Sequence, residues 1–197
     1  MEKNILIIGS ARSGKTTLAK KFAKEKGYSL ISIDHIVSGF EAYPELNIRH
    51  DNGDVDTATN LAPFLIKYFT ELSEGNTFYD GIKFVIEGTH IDFEQLMPFL
   101  QSEKYQEKYE IIGLVYNDIT EEEMFNDIKR YDTEDDWTYW VSDEELRGDV
   151  RWFLQRNRFF SDKFKQYNIK TFDTSHNREE VLNEIVAIYT KQDKKTK

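Results

Sequence analysis

Residues 9–16 read Gly9-Ser10-Ala11-Arg12-Ser13-Gly14-Lys15-Thr16, and they follow the apolar run Ile5-Leu6-Ile7-Ile8. The octet fits the pattern G-x-x-x-x-G-K-[ST], in which glycines let a tight strand-to-helix turn aim backbone N–H groups at phosphate oxygens. Leu18 and Phe22 continue with helical spacing, so a helix N-terminus adds its dipole to the same site. The pattern therefore predicts a nucleotide-phosphate site rather than a chance glycine-rich turn.

The parts of this loop have separate expected tasks. Lys15 can reach the β- and γ-phosphates of a nucleotide as a point charge, and the Thr16 hydroxyl can ligate Mg²⁺. ATP and Mg²⁺ are therefore the expected cofactors. The residues expected to bind the nucleotide are Gly9, Ser10, Ala11, Arg12, Ser13, Gly14, Lys15, Thr16 and Thr17.

Composition is typical of a globular protein in a reducing compartment. The chain has 197 residues, of which 39% are hydrophobic and 31% charged, so residues 1–197 can form one domain with a sizeable core. The absence of cysteine excludes disulfides, thiolate metal sites and cysteine nucleophiles. The chain runs directly into its first strand and contains no stretch as long as a membrane span. We therefore expect a cytoplasmic protein with no membrane partner.

The charge balance bears on the possible partners. A net charge of −10 argues against duplex nucleic acid as the main partner, because binding to a phosphate backbone needs clustered cations. A local basic groove remains possible, and a site for polyanionic ATP must itself be locally positive. A small-molecule phosphate acceptor is the partner that we expect.

Apolar runs alternate with helical patterns along the chain. Strands are predicted at 4–8, 28–33, 83–86, 110–116 and 170–173. Helices are predicted at 14–26, 56–74, 91–104, 120–131, 143–167 and 179–189, and residues 191–197 are expected to form a flexible polar tail. This alternation predicts an α/β fold with a doubly wound, five-stranded parallel sheet.

Two carboxylates follow predicted strands at the edge of the sheet where open α/β folds bind ligands. Asp34, after the second strand, can contact the phosphate acceptor or hold Mg²⁺ through water, and it can also be a helix N-cap. Glu87, followed by Gly88 after the third strand, can orient a Mg²⁺-bound water or accept the proton of an attacking hydroxyl. The alternative for Glu87 is a cap on the next helix. We expect catalytic roles for both, with Thr16 and Glu87 as the metal ligands.

Histidines and an arginine near this edge have less specific patterns. The irregular segment 38–55 contains Arg49 and His50, which can bind an anionic or hydroxylated acceptor or can simply belong to a solvated loop. His90 is expected to be a hydrogen-bonded loop residue rather than a ligand.

Residues of about 132–158 form a candidate lid. Its first part has no basic residue and seven acids, which are Asp132, Glu134, Asp135, Asp136, Asp143, Glu144 and Glu145. Arg147 and Arg151 follow on one helix face, because they are four residues apart. They can close over the nucleotide and stabilise the transferring phosphoryl group, or they can offset the acidic stretch. An acidic lid mildly favours a neutral or cationic acceptor.

On these residues the chain resembles the P-loop small-molecule kinases, a superfamily that includes nucleoside and nucleotide kinases, shikimate kinase and gluconate kinase. The resemblance extends over nearly the whole length and is most specific at 9–16. It implies the sheet order 2-3-1-4-5, a helical lid, and an acceptor between the tips of strands two and three and the lid. It also implies Lys15 and Thr16 at ATP–Mg²⁺, Asp34 or Glu87 at the base or metal, lid arginines at the phosphate, and Asp173-Thr174-Ser175 near adenine.

The sequence lacks two patterns of individual kinases and one pattern of Ras-like GTP-hydrolysing proteins. The chain lacks the Asp-Gly-x-Pro-Arg lid pattern of adenylate kinase, the Asp-Arg-Tyr/His pattern of thymidylate kinase and the guanine-reading Asn-Lys-x-Asp pattern. We therefore expect ATP-dependent transfer of the γ-phosphate to a small hydroxylated acceptor, such as a nucleoside, a nucleotide or a similar metabolite. The alternatives are a nucleotide-dependent switch that hydrolyses slowly and a kinase of a macromolecule such as an RNA end. The acceptor, the choice between ATP and GTP and the oligomeric state stay open.

Overall fold

A computed structural model of the chain describes residues 3–50, 54–74 and 81–190. Its strands are β1 (Asn4–Gly9), β2 (Ser29–Ser32), β3 (Phe84–Gly88), β4 (Tyr109–Val115) and β5 (Lys170–Asp173). Its longer helices are α1 (Lys15–Lys26), α2 (Ile33–Phe40), α3 (Asp54–Glu74), α4 (Phe93–Leu100), α5 (Glu121–Tyr131), α6 (Asp143–Gln166) and α7 (Arg178–Thr190). The predicted tail 191–197 lies outside the described residues.

The strands form one parallel sheet in the order β2-β3-β1-β4-β5, which confirms the expected topology. β1 lies in the centre, with Ile7 opposite Glu87 of β3 and Ile112 of β4. Because successive side chains of a strand point to opposite faces, Leu6 and Ile8 enter one core while Ile5 and Ile7 enter the other. Helices cover both faces, so the apolar run of β1 is fully buried, as a central parallel strand requires.

The segment after β2 differs from the prediction. β2 ends at Ser32, and Ile33 begins α2, which is not among the predicted helices and extends into the segment 38–55 that was predicted to be irregular. Ile33 and Val37 are four residues apart and completely buried, so tertiary packing stabilises a helix that is only eight residues long. The N-cap of α2 is Ser32, and Asp34 lies in the first helical turn.

The lid packs through its own hydrophobic cluster. A short 3-10 helix at Trp137–Trp140 leads into α6, and Leu146, Val150 and Phe153 of α6 pack against α5. Capping boxes open α5 at Thr120 with Glu123 and α6 at Ser142 with Glu145. Among the described helices, none combines the length and the apolar character that a membrane span requires.

Candidate active site

The loop between β1 and α1 has a backbone that only its glycines allow. A Cβ atom on Gly9 would lie 2.6 Å from the carbonyl oxygen of Leu114 and 2.7 Å from Ser13 Oγ. Gly14 caps α1 at a φ of +93°, in the left-handed region that disfavours other residues. The sequence pattern 9–16 therefore folds as a tight turn that opens a helix N-terminus, which is the arrangement that binds phosphate.

Lys15 is buried within this loop. Its Nζ donates a hydrogen bond of 2.8 Å to the carbonyl oxygen of Ser10, so the ammonium group lies against the turn that precedes it. Thr174, in the turn between β5 and α7, donates from its hydroxyl to the carbonyl oxygen of Ser13. Thr16 is exposed at the start of α1. The loop thus has a hydrogen-bonded cation in Lys15, an exposed hydroxyl in Thr16, and a hydrogen bond with the turn that follows β5.

Asp34 and His90 meet at the ends of β2 and β3. Asp34 Oδ1 lies 3.3 Å from His90 Nδ1, and the His90 side chain is 4% exposed whereas that of Asp34 is 46% exposed. Burial raises the pKa of Asp34, but the hydrogen bond with His90 and the charge of Lys15 outweigh it, so the net pKa is lowered. Asp34 is therefore an accessible carboxylate that acts in the electrostatic field of the phosphate-loop lysine.

Glu87 and Thr16 provide oxygen atoms near the same edge. Glu87 lies within β3 and is 1% exposed, and its Oε2 is buried without a hydrogen-bond partner among the described residues. The cap of the next helix is Asp92, which accepts from the backbone N–H of Gln95, so Glu87 does not fill that role. A buried carboxylate oxygen normally has a donor or a cation beside it, and Glu87 is therefore a suitable ligand for a divalent ion.

Arg12, expected to contact the nucleotide, forms ion pairs with acids of the lid. It forms ion pairs with Asp132 and Asp136, the latter at 2.9 Å, and also donates to the hydroxyl of Thr138. Two of the seven lid acids thus neutralise a cation of the phosphate loop.

Arg147 and Arg151 lie on the side of α6 that faces the start of α5. Arg147 pairs with Glu122 at 2.7 Å and Arg151 with Glu121 at 3.0 Å. The Arg147 guanidinium also lies 4.1 Å from the centre of the Phe125 ring. In this structure both arginines are therefore paired with acids of α5.

A cavity of about 830 Å³ lies beside the loop, between α5 and the turn that precedes α7. It is lined by Arg12 and Thr17 of the loop and α1, by Asp127 of α5, and by Thr174 and Ser175. Its volume suits a nucleoside-sized ligand, since small-molecule sites usually measure about 300–1,000 Å³. Asp173, expected with Thr174 and Ser175 near adenine, accepts the backbone N–H of Ser175 instead of lining the cavity.

Solved structures of small-molecule kinases share this architecture. Shikimate kinase from Acinetobacter baumannii, in complex with shikimate, matches with a TM-score of 0.60 at 16% identity, over 99% of this chain and 97% of that chain. A gluconokinase from Sinorhizobium meliloti matches with a TM-score of 0.53 at 13% identity, over 96% of this chain and 93% of that chain. The chain has the P-loop kinase fold. No protein-family model and no curated protein sequence matches it.

A P-loop kinase fold implies a magnesium ion, and the donor atoms present fit one. Within the described residues no group of three or more His, Asp or Glu side chains forms a metal site. Mg²⁺ in such folds is usually held by one or two protein groups together with substrate phosphates. The Thr16 hydroxyl and the Glu87 carboxylate match that pattern.

The structure places two residues, His90 and Arg178, in contacts that the sequence did not predict. His90 lies two residues after Gly88. The residues around it do not predict its contact with Asp34, which is 56 positions away in the chain. Arg178 begins α7 and lines the cavity, and its Cδ lies 3.5 Å from where a Cβ on Gly14 would be. The one sequence feature that could have indicated Arg178 is its position after the turn 173–177, at the start of a helix.

Proposed function

We propose that this protein transfers the γ-phosphoryl group of ATP to a hydroxyl group of a small acceptor molecule. The observation that carries the proposal is the proximity of a phosphate-loop cation to an accessible carboxylate. The charge of Lys15 contributes to the lowered pKa of Asp34, which supports a single site in which Lys15 would bind phosphate and Asp34 would accept a proton.

Lys15 and the backbone of residues 9–16 would bind the β- and γ-phosphates of ATP. The base and ribose would occupy the cavity beside the loop, against Thr174 and Ser175. Phosphoryl transfer needs little covalent chemistry from the protein, since positioning and charge stabilisation supply most of the rate. The anchored Lys15 and the pre-formed helix N-terminus provide both.

Asp34 is the general base of this proposal, because its side chain is about half exposed while Glu87 is almost completely buried. The acceptor hydroxyl would approach Asp34 from the carboxyl edge of β2. Glu87 and Thr16 would hold Mg²⁺, which when bound neutralises phosphate charge and orients the transferring group. The ion pairs of Arg147 and Arg151 with Glu122 and Glu121 make them poor candidates for phosphate contacts in the conformation described.

The site and the structural neighbours support a choice of the acceptors to be tested first. A half-exposed carboxylate at the acceptor position can accept the proton of the acceptor hydroxyl, and the neighbours include kinases named for shikimate and gluconate. Polyhydroxylated carboxylic acids and sugar acids therefore lead the panel, followed by nucleosides, nucleotides and amino-alcohols.

The test measures ADP release from ATP–Mg²⁺ with and without each pool of acceptors. Lys15→Met removes the loop cation, and Lys20→Met changes an exposed lysine of the same helix as the matched control. Stimulation by one pool that is lost in Lys15→Met alone supports the proposal. Lys15-dependent hydrolysis that no pool stimulates favours a nucleotide switch or a macromolecular acceptor. Absence of Lys15-dependent nucleotide binding overturns the proposal.

A further inference from the structure

We propose that His90 is a positioning residue, which holds one oxygen of Asp34 so that the other faces the acceptor hydroxyl. The inference rests on the proposed function and deepens it. It assigns to a buried histidine a task that neither the loop pattern nor the sheet order assigns.

The meeting of these side chains follows from close packing at the sheet edge. Gly88 ends β3 against Ile33 at the start of α2, where a Cβ on Gly88 would lie 2.6 Å from the Cβ of Ile33. Asp34 is the next residue after Ile33, and His90 is two residues after Gly88. The glycine therefore brings the two connections near enough for a direct contact between Asp34 and His90.

The chemistry of the contact decides which atom donates. An ionised carboxylate has no proton to give, and the pKa of Asp34 is lowered, so the proton of the 3.3 Å contact belongs to His90 Nδ1. This hydrogen bond occupies Oδ1. Asp34 Oδ2 forms no hydrogen bond with a side chain or backbone group of the described residues, and it remains for a proton from the acceptor.

His90 is itself held from the other side by a second histidine. The His50 ring packs edge-on against the His90 ring, with centroids 5.5 Å apart and planes at 66°. Ser38 Oγ lies 3.1 Å from His50 Nε2, and the His50 backbone N–H donates to Glu41. A ring that is almost fully buried between Asp34 and His50 cannot swing away from its carboxylate without disturbing both contacts.

The charged groups around Asp34 define what a titration will report. Lys15 of α1, His90 of the β3–α4 connection and His50 all favour its ionised form, while burial opposes it. Glu41 is the acidic group beside His50. Removing the His90 donor therefore raises the pKa of Asp34, because a hydrogen bond to the charged form is lost while burial remains.

Three substitutions at one position separate a donor at Nδ1 from simple packing. His90→Asn places an amide N–H near the position of Nδ1, His90→Gln places one near Nε2, and His90→Leu keeps bulk without a donor. His35→Leu changes an exposed histidine in the same helix as Asp34 and is the matched control. Each variant is assayed for kcat, for the KM of ATP and of the acceptor, and for the pKa of Asp34 by NMR.

For His90→Leu and His90→Gln we expect kcat to fall about ten- to a hundredfold, with the KM of ATP within about twofold of wild type. In both variants the acid limb of kcat/KM and the NMR pKa of Asp34 move to higher pH. His90→Asn should keep kcat within about threefold and leave the pKa of Asp34 near its wild-type value.

Two results overturn the inference, and they are distinguishable from failure of the proposed function. The inference is wrong if the pKa of Asp34 is the same in all variants. It is also wrong if kcat falls as far in His90→Asn as in His90→Leu, because His90 then does not act through Nδ1. A wild-type protein with no acceptor-stimulated ADP release overturns the proposed function. In that case the catalytic role of the pair is lost, while the NMR measurement still reports whether the hydrogen bond exists.

Discussion

Arg12 in the phosphate loop and Asp132 at the end of α5 form a two-point ion pair, with Nη1 2.9 Å from Oδ1 and Nη2 3.0 Å from Oδ2. The Asp132 side chain is 5% exposed and that of Arg12 is 20% exposed, so the pair is largely shielded from water. This parallel geometry is the strongest arrangement of guanidinium and carboxylate. It joins the phosphate loop to a lid that is 120 residues away along the chain.

The pair predicts that stability and nucleotide affinity change in opposite directions in Asp132→Asn. Asp132→Asn removes the more buried of the two carboxylates that pair with Arg12 and leaves Asp136 as its ionised partner, and we expect a loss of about 1–3 kcal/mol in the free energy of unfolding. The same change removes a negative charge beside the phosphate site, so ATP should bind more tightly. Urea unfolding and calorimetric titration with ATP–Mg²⁺ measure the two effects. Glu134→Gln, an exposed acid of the same stretch, is the control, and an unchanged stability in Asp132→Asn would contradict the prediction.

Gly88 and Gly39 make a matched pair for testing the packing that brings Asp34 to His90. Gly88→Ala forces a Cβ to within 2.6 Å of the Cβ of Ile33, and we expect it to destabilise the protein by about 1–3 kcal/mol. A Cβ on Gly39, in α2, has no atom within 4 Å, so Gly39→Ala should be neutral or stabilise by up to about 1 kcal/mol. Urea unfolding of both variants is the measurement. Equal effects would show that the approach of β3 to α2 is not tight.

Buried tyrosines predict a loss of stability in alkali. Burial raises the pKa of Tyr109 and of Tyr116, whose hydroxyls donate to backbone carbonyl oxygens. In the unfolded chain a tyrosine ionises near pH 10, so above that pH the native state binds more protons than the unfolded state. The stabilisation is complete below about pH 10 and falls by about 1.4 kcal/mol per pH unit for each such tyrosine as the pH rises towards the folded pKa.

Tyr109→Phe should therefore reduce the alkaline slope of the unfolding free energy by about 1.4 kcal/mol per pH unit, measured by urea unfolding between pH 8 and pH 11. Tyr139→Phe, which changes an exposed tyrosine, should leave the slope as it is in the wild type. An equal reduction in both variants would mean that burial is not the cause.

How much the sequence could predict depends on how local each feature is. Residues 9–16 and the run before them determine the loop and the central strand through neighbouring residues, and the capping boxes at Thr120 and Ser142 are equally local. The sheet order followed from the resemblance that these residues carry. In contrast, α2 is stabilised by burial of Ile33 and Val37 rather than by its own propensity, so its eight residues do not by themselves predict a helix.

Contacts between distant residues could not be read from the chain. The sequence predicts that Arg12 binds the nucleotide but does not indicate its partners Asp132 and Asp136, which become its neighbours only in the folded chain. His90 meets Asp34 only because Gly88 allows β3 to approach α2. The sequence shows which residues have opposite charges and could form ion pairs, but only the folded structure shows which of them are close enough to do so.

We expect substitutions of Arg178 and Arg151 to differ in their effect on nucleotide binding. Arg178 lines the cavity beside the loop and has no ion pair within the described residues, whereas Arg151 is paired with Glu121 at the start of α5. A cation without a partner at an anion site contributes fully to binding, while one already paired must first give up its carboxylate. Arg178→Gln should therefore weaken ATP–Mg²⁺ binding about tenfold, and Arg151→Gln should change it by less than about twofold.

Calorimetric titration of both variants with ATP–Mg²⁺ makes this comparison, and urea unfolding confirms that each variant is folded. If Arg151→Gln is the weaker binder, then α6 must move so that Arg151 leaves Glu121 and reaches the phosphates. That outcome would restore the lid role that the helical spacing of Arg147 and Arg151 predicts. If only Arg178→Gln binds ATP–Mg²⁺ more weakly, the positive charge that faces the nucleotide comes from α7. Arg147 and Arg151 then stay paired with Glu122 and Glu121 of α5 when the nucleotide binds.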